Sequence, residues 1–269
     1  METVDFQFLQ KFMHSHAAIV IDDGKQYLVE NRLQPLAKAA GLPDLHGLVT
    51  RLRAERFGDL HRNVLDAMTT NETSFFRDTK LYDSLEREIL PELLEKAGSR
   101  KLNIWCAACS TGQEPYTLGL IFKEKLKIGP DRVEILATDI CERVLDAAKR
   151  GEYSQMDVNR GLPAPMLLRN FRQAGRNFSI ADDVKAYVKF RKLNLAEAWD
   201  NLAPMDLVLI RNVLIYFNID TKRQILKRVK PILRSHGYLI LGAAETTLNI
   251  DDTYGRVIKR DATVYHPLP

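Results

Sequence analysis

From residue 102 onward, short apolar runs of strand length alternate with stretches of helical periodicity, and this constrains the fold more than any other feature. Leu102–Ala107, Val133–Ala137, Met205–Ile210 and Tyr238–Gly242 read as buried strands. Between them lie helical segments at Glu114–Leu126, Arg143–Arg150 and Thr221–Leu233, the last offering Leu226, Val229, Ile232 and Leu233 to a core. Strands alternating with helices imply a parallel sheet covered on both faces. Val257–His266 adds an antiparallel strand pair. The expected fold is a doubly wound α/β domain.

Before residue 100 the pattern is helical throughout. Phe6, Leu9, Phe12 and Met13 share a face, and Leu60, Val64, Leu65 and Met68 form another stripe. Asp44 is placed to cap a helix carrying Leu45, Leu48, Val49 and Leu52, and Asp78 one carrying Leu81, Leu85 and Ile89. Residues 1–78 therefore read as a small helical domain, 79–96 as a joining helix and 97–269 as the α/β domain. Residues 152–194 interrupt the alternation with polar sequence, a short helix (Met166, Leu167, Phe171) and the alternating run Tyr187–Leu193. This is expected to be an inserted subdomain with antiparallel strands, of a length that serves recognition or packing more often than chemistry.

Apolar residues make up 45% and charged residues 28% of the 269, as in ordinary globular proteins. No apolar run approaches the ~18 residues of a membrane span and no signal-peptide pattern is seen, so a cytoplasmic location without membrane insertion is expected. Cys106, Cys109 and Cys141 are expected as free thiols. Cys106-Ala-Ala-Cys109 has redox or zinc spacing, yet no second cysteine pair or histidine pair completes a metal site, so none is expected. A net charge of +4 suits an acidic partner but is far from a nucleic-acid-binding signature.

The strand ends carry the chemistry. Leu102–Ala107 runs into Ala108-Cys-Ser-Thr-Gly-Gln-Glu-Pro-Tyr116, with Gly112 for a tight turn and Pro115 for a helix start. Neither a G-x-G-x-x-G nor a P-loop is present, which argues against a pyrophosphate ligand. A cationic ligand without phosphates, such as S-adenosylmethionine, needs negative charge that Glu114 can supply; a plain strand–helix turn is the other reading. The second strand ends Ala137-Thr-Asp139-Ile140, where an acid either caps a helix or accepts both ribose hydroxyls. Arg211, Asn212 and Tyr216 follow a later strand, to line a site or to satisfy loop backbone.

Thr69-Thr-Asn-Glu-Thr-Ser-Phe-Phe-Arg77, Trp105–Tyr116, Ala137-Thr-Asp-Ile140 and Arg211-Asn-Val-Leu-Ile-Tyr-Phe217 together resemble the CheR chemotaxis receptor methyltransferases. The resemblance extends to Ala18-Ile-Val-Ile21 and Asn31-Arg-Leu33 and so covers nearly the whole chain. It implies a Rossmann-like class I methyltransferase sheet with a small β insertion behind an all-helical domain. It also implies transfer of the S-adenosylmethionine methyl group to glutamate side chains of methyl-accepting receptors, leaving S-adenosylhomocysteine. Asn71, Thr73, Arg77, Ala107, Glu114, Asp139, Asn194, Leu195, Arg211 and Asn212 would bind the cofactor. Arg77 and Tyr216 would face the acceptor, and Lys25, Arg32 and Lys38 are candidates for docking on the receptor's cytoplasmic helical bundle.

A glutamate acceptor is already ionised at neutral pH and needs no general base, which fits six scattered histidines and no convincing His/Asp pair. Two departures stand out. Relatives that tether to a receptor's C-terminal pentapeptide carry a glycine-containing loop in the insertion. Here Phe171-Arg-Gln-Ala-Gly-Arg-Asn-Phe178 is short with one glycine, so dependence on such a tether is not expected. Gly242-Ala-Ala-Glu245 stands where the family often has Gly-His-Ser-Glu. An RNA methyltransferase would show basic or aromatic substrate surfaces, a dinucleotide oxidoreductase the glycine fingerprint, and a non-catalytic module the loss of Arg77, Tyr216 or the acidic pair.

Overall fold

The computed structural model describes residues 1–199 and 201–269. They form two units, residues 1–70 with 216–221, and residues 71–215 with 222–269. Residues 71–78, read from sequence with the helical domain, group with the sheet.

The first unit contains α1 (Thr3–Ala17), α2 (Gln26–Ala39), α3 (Leu45–Ala54) and α4 (Asp59–Met68). α1 buries Phe6, Leu9, Phe12 and Met13, α3 buries Leu45, Leu48, Val49 and Leu52, and α4 buries Val64, Leu65 and Met68, while Leu60, read from sequence with that stripe, is half-buried. Asp44 accepts a hydrogen bond from the Gly47 amide at 2.8 Å, the side-chain cap its position at the start of α3 calls for. Arg32 on α2 donates to the carbonyls of Met68 and Thr69 and to the Thr70 hydroxyl, supplying donors to the end of α4.

The second unit opens with a continuous helical rod of α5 (Thr79–Ser84), a π turn (Leu85–Ile89) and α6 (Leu90–Ala97). Asp78 does not cap it. The residue is left-handed (φ 75°) and makes no side-chain cap bond; its carboxylate lies 3.7 Å from Arg211. Then follow β1 (Leu102–Ala107), α7 (Gln113–Ile121), β2 (Val133–Asp139), α8 (Glu142–Arg150), β3 (Glu152–Ser154), α9 (Gln155–Asn159), α10 (Ala164–Asn170), β4 (Phe171–Ala174), β5 (Asn177–Ile180), α11 (Asp182–Lys185), β6 (Val188–Lys192) and β7 (Met205–Ile210). The chain ends with α12 (Ile219–Val229), β8 (Leu233–Leu241), β9 (Tyr254–Lys259) and β10 (Ala262–Pro267).

Seven strands make one sheet in the order β6-β2-β1-β7-β8-β10-β9. β6, β2, β1, β7 and β8 are parallel, while β10 runs antiparallel to both of its neighbours, β8 and β9. Every residue of β7 is buried, as a central strand covered on both faces requires. The chain passes from β1 to β2 on one side and later returns to β7 on the other. The crevice beyond the carboxyl ends of β1 and β7 is thus the topological switch point, where open α/β sheets bind ligands.

The insertion holds its own antiparallel sheet, β3-β5-β4. The run Tyr187–Leu193, read from sequence as part of it, instead supplies β6, the parallel edge of the main sheet beside β2. An edge strand covered on one side alternates in the same way as an antiparallel one. Phe171 likewise begins β4 rather than ending the short helix, and Ile232 is half-buried rather than core. Among the described residues no helix is long and apolar enough to cross a membrane.

Candidate active site

The turn after β1 is built from unusual backbone. Ala108, Ser110 and Gly112 all have positive φ, at 54°, 51° and 91°. At Gly112 a side chain would be strained twice over, since a Cβ would also sit 2.9 Å from that of Ala148. The turn is pinned from β2. The Cys109 amide donates to the Thr138 carbonyl at 2.9 Å. Asp139, only 6% exposed, accepts from the Ser110 amide on Oδ2 at 2.8 Å and from the Cys141 amide on Oδ1 at 3.0 Å. Asp139 is thus a joint between two strand ends.

The segment 71–77 is held beside this turn by Phe75. Its ring is fully buried and packs edge-on against Tyr153 (4.9 Å between centroids) and Phe171 (5.7 Å). Burying a phenylalanine contributes about 1.5–3 kcal/mol, enough to seat an otherwise irregular stretch. The Ser110 hydroxyl donates to the Asn71 carbonyl at 2.7 Å, and the Phe76 amide to the Thr117 hydroxyl at 3.2 Å. Thr73 and Arg77 are half-buried on the same segment, and Arg77 Nη1 donates to the Glu72 carbonyl at 3.0 Å.

Arg211 lies 8% exposed just past β7. Its Nη1 donates to Glu114 Oε2 at 2.7 Å, and its Nη2 to the Arg77 carbonyl at 3.2 Å. Burial pulls the guanidinium pKa down, but Glu114, Tyr82 and Asp78 outweigh it and the net shift is upward, so the charge is secure. This ion pair joins the helix after β1 to the loop after β7 across the switch point. Glu114 Oε1 has no hydrogen-bond partner among the described residues, which leaves it open toward a cation.

The remaining candidates lie on the neighbouring strand ends. Ala107 ends β1 and is buried. The Leu193 amide donates to the Asp139 carbonyl at 3.0 Å, carrying Asn194 and buried Leu195 toward the β2 end. Asn194 turns inward on its own loop, accepting from the Ala196 amide and donating to Glu197. Asn212 is left-handed (φ 58°), with its amide bound to Glu245 Oε2 at 2.8 Å.

Asn71, Thr73, Arg77, Ala107, Glu114, Asp139, Asn194, Leu195, Arg211 and Asn212 thus all fall in the second unit. Tyr216 groups with the first, where its carbonyl accepts from the Val20 amide at 2.9 Å. Lys25, Arg32 and Lys38 also belong there. Lys25 pairs with Asp22 at 2.6 Å, Arg32 is engaged at the end of α4, and Lys38 is exposed in the last turn of α2. Glu245 went unread in the sequence as a site residue. The signal for it was the stretch Gly242-Ala-Ala-Glu245, which stands where the family often has Gly-His-Ser-Glu.

A turn without a phosphate-binding glycine fingerprint, an open carboxylate oxygen on Glu114 and an acid at the β2 end suit a nucleoside joined to a cationic amino acid. The comparisons with known proteins agree. Residues 71–263 match the CheR methyltransferase SAM binding domain, and residues 4–69 the CheR methyltransferase all-alpha domain. The chain is 41% identical over 269 residues to chemotaxis protein methyltransferase 1 of Pseudomonas aeruginosa, covering 97% of each. It is 36% identical over 270 residues to chemotaxis protein methyltransferase Cher2 of Pseudomonas putida, again 97% of each. Against the chemotaxis protein methyltransferase of Salmonella typhimurium it is 31% identical over 251 residues, 91% of this chain and 84% of that one. A match that spans both units, joined to a switch-point site of this chemistry, makes the chain a member of the CheR family of S-adenosylmethionine-dependent methyltransferases.

Proposed function

We propose that the protein esterifies glutamate side chains on the cytoplasmic helical bundle of chemotaxis receptors, giving glutamyl methyl esters and S-adenosylhomocysteine for sensory adaptation. The observation that carries this reading is the acidic pair at the switch point: Asp139 at the β2 end, and Glu114 held by Arg211 with one oxygen open. In it, Asp139 accepts the ribose hydroxyls, Glu114 faces the ammonium of the amino-acid end, and Asn71, Thr73, Asn194, Leu195, Arg211 and Asn212 complete the pocket.

When bound, S-adenosylmethionine supplies a methyl carbon on a positively charged sulfur. The acceptor carboxylate oxygen forms the new C–O bond as the C–S bond breaks, the bonding pair stays on sulfur, and no proton moves. An ionised carboxylate needs no base, and none of the residues assigned to the pocket is a histidine. The protein's work is alignment and exclusion of water. Arg77 orients the acceptor through a charge-assisted pair, and Tyr216, four residues along the chain from Asn212, donates a hydrogen bond to it. Orientation suits Arg77 better than a tight grip, which would stabilise the ground state of the nucleophile. Lys25, just before α2, and Lys38, in its last turn, offer charge to an acidic bundle, and Arg32 serves both α4 and that face. The location consistent with these substrates is the cytoplasm.

The direct test is transfer from methyl-labelled S-adenosylmethionine to a purified receptor cytoplasmic fragment. Label should appear on glutamates and leave as methanol in mild alkali. Alkali-stable label, or none with folded, cofactor-binding protein, would overturn the reading.

We also propose that catalysis does not depend on a receptor C-terminal pentapeptide. In support, β4 and β5 are joined by only Gly175 and Arg176, which leaves no loop to form a binding cleft. Titration with a free receptor pentapeptide should show no binding at micromolar concentration; micromolar affinity would refute the proposal.

A further inference from the structure

We infer that Glu245 is a positioning residue for methyl transfer, holding the backbone turn 212–215 that carries Asn212 at the carboxyl end of β7. The inference rests on the methyltransferase reading above. β8 ends at Leu241, and a tight turn, with the Glu245 amide donating to the Gly242 carbonyl at 2.9 Å, folds the carboxylate back over the strand ends. Oε2 accepts from the amides of Gly242 at 2.7 Å and Asn212 at 2.8 Å. Oε1 accepts from Val213 at 2.9 Å and Ile215 at 3.3 Å.

Four amides from the ends of two adjacent strands thus converge on one carboxylate. Beyond the last ladder pair, β7–β8, these donors have no strand to bind and would otherwise need water or side chains. A carboxylate is acceptor-only, with lone pairs enough for all four, and bonds to an ionised acceptor are the stronger kind. The turn needs such a clamp, because Asn212 is left-handed with φ 58°. The approach is close enough to require glycine at 242. A Cβ there would lie 2.6 Å from Glu245 Oε2 and 2.8 Å from the Asn212 nitrogen. Arg211 stands immediately before the clamped turn. Glu245 thereby sets where Arg211 and Asn212 point while its own oxygens are spent on backbone amides.

The test uses the full chain with Glu245→Gln, Glu245→Ala and Gly242→Ala, assayed for kcat and KM on a receptor cytoplasmic fragment and for S-adenosylhomocysteine affinity. Glutamine keeps the size and one oxygen but turns an NH2 against one pair of amides, so it should fold and still not rescue. Displacing reacting groups by about 1 Å costs on the order of 10²-fold in rate, and kcat should fall by about that factor in the alanine variant. It should fall by roughly tenfold or more in the glutamine and Gly242→Ala variants, with product affinity changing by less than about tenfold. Should the alanine variant fail to fold, the other two decide. Folded variants with kcat within about threefold of wild type would overturn the inference while leaving the methyltransferase reading intact. A wild-type chain inactive on receptor fragments would overturn both.

Discussion

Asp139→Ala should weaken S-adenosylhomocysteine binding by roughly 10²–10⁴-fold, from the loss of two charge-assisted hydrogen bonds worth about 1.5–3 kcal/mol each. Isothermal calorimetry with S-adenosylmethionine and S-adenosylhomocysteine measures it directly. The expected loss has two parts. The carboxylate accepts the ribose hydroxyls in the proposed binding mode, and it already holds the Ser110 and Cys141 amides at 2.8 and 3.0 Å. Without it, the turn carrying three positive-φ residues is held to the β2 end by backbone, through the Cys109 amide and the Thr138 carbonyl, and loses its side-chain link. Asp139→Asn keeps one acceptor oxygen and should fall between wild type and alanine. A folded alanine variant with unchanged affinity would remove Asp139 from the ribose site. A wild-type chain that binds neither ligand would contradict the proposed pocket as a whole.

Asp206→Ala is expected to do the opposite, lowering stability by about 3–5 kcal/mol while leaving ligand affinity nearly unchanged in the protein that remains folded. Asp206 is fully buried at the amino end of β7. It receives both Nη groups of Arg100, the Asn103 amide at 2.9 Å and His236 Nε2 at 3.2 Å. Its removal leaves these groups facing a buried void. The strand carries its other end, Ile210, to the switch point, about 13 Å away. For a chain of this size the loss corresponds to a fall in Tm of roughly 6–20 °C, measurable by calorimetry or circular dichroism.

The same cluster governs acid stability. Burial pushes the Asp206 pKa up, but Arg100, the Asn103 amide and His236 outweigh it, and the net shift is downward. A carboxyl lowered in the folded state contributes stability above its unfolded value near 3.8, lost as pH falls through the folded one. Glu92 acts likewise. Burial opposes its ionisation, yet Lys259, Lys96 and Tyr238 bring its pKa down to about 2. Wild type should therefore lose stability progressively below about pH 4, and Asp206→Asn should flatten that limb. An acid-melting curve unchanged in Asp206→Asn would show that the cluster contributes nothing to it.

Much of the site was legible as strand ends. A run such as Leu102–Ala107 followed by a glycine-bearing turn marks the carboxyl edge of a parallel sheet, and Asp139, Arg211 and Asn212 then lie on that edge by chain position alone. The family motifs added roles that no periodicity carries. The clamp by Glu245 was not legible, because the four amides it binds belong to positions 212, 213, 215 and 242, and backbone donors leave no mark in a sequence. The pairing of Glu114 with Arg211 was equally hidden. Both residues were candidates, but they are 97 positions apart and their contact depends on β1 and β7 being neighbours.

The sequence by itself determined the alternation of strands and helices, the helical start and the Asp44 cap. These follow from local periodicity and residue chemistry, which act over a few positions. Only the tertiary structure decided that Tyr187–Leu193 supplies the edge of the main sheet, and that Phe75 seats residues 71–77 beside the β1 turn. It alone showed Asp206 beneath Arg100 and Glu245 across two strand ends. Those outcomes depend on which strands become neighbours and in what register, and hydrogen bonds and ion pairs form over a few ångströms of space whatever their separation along the chain.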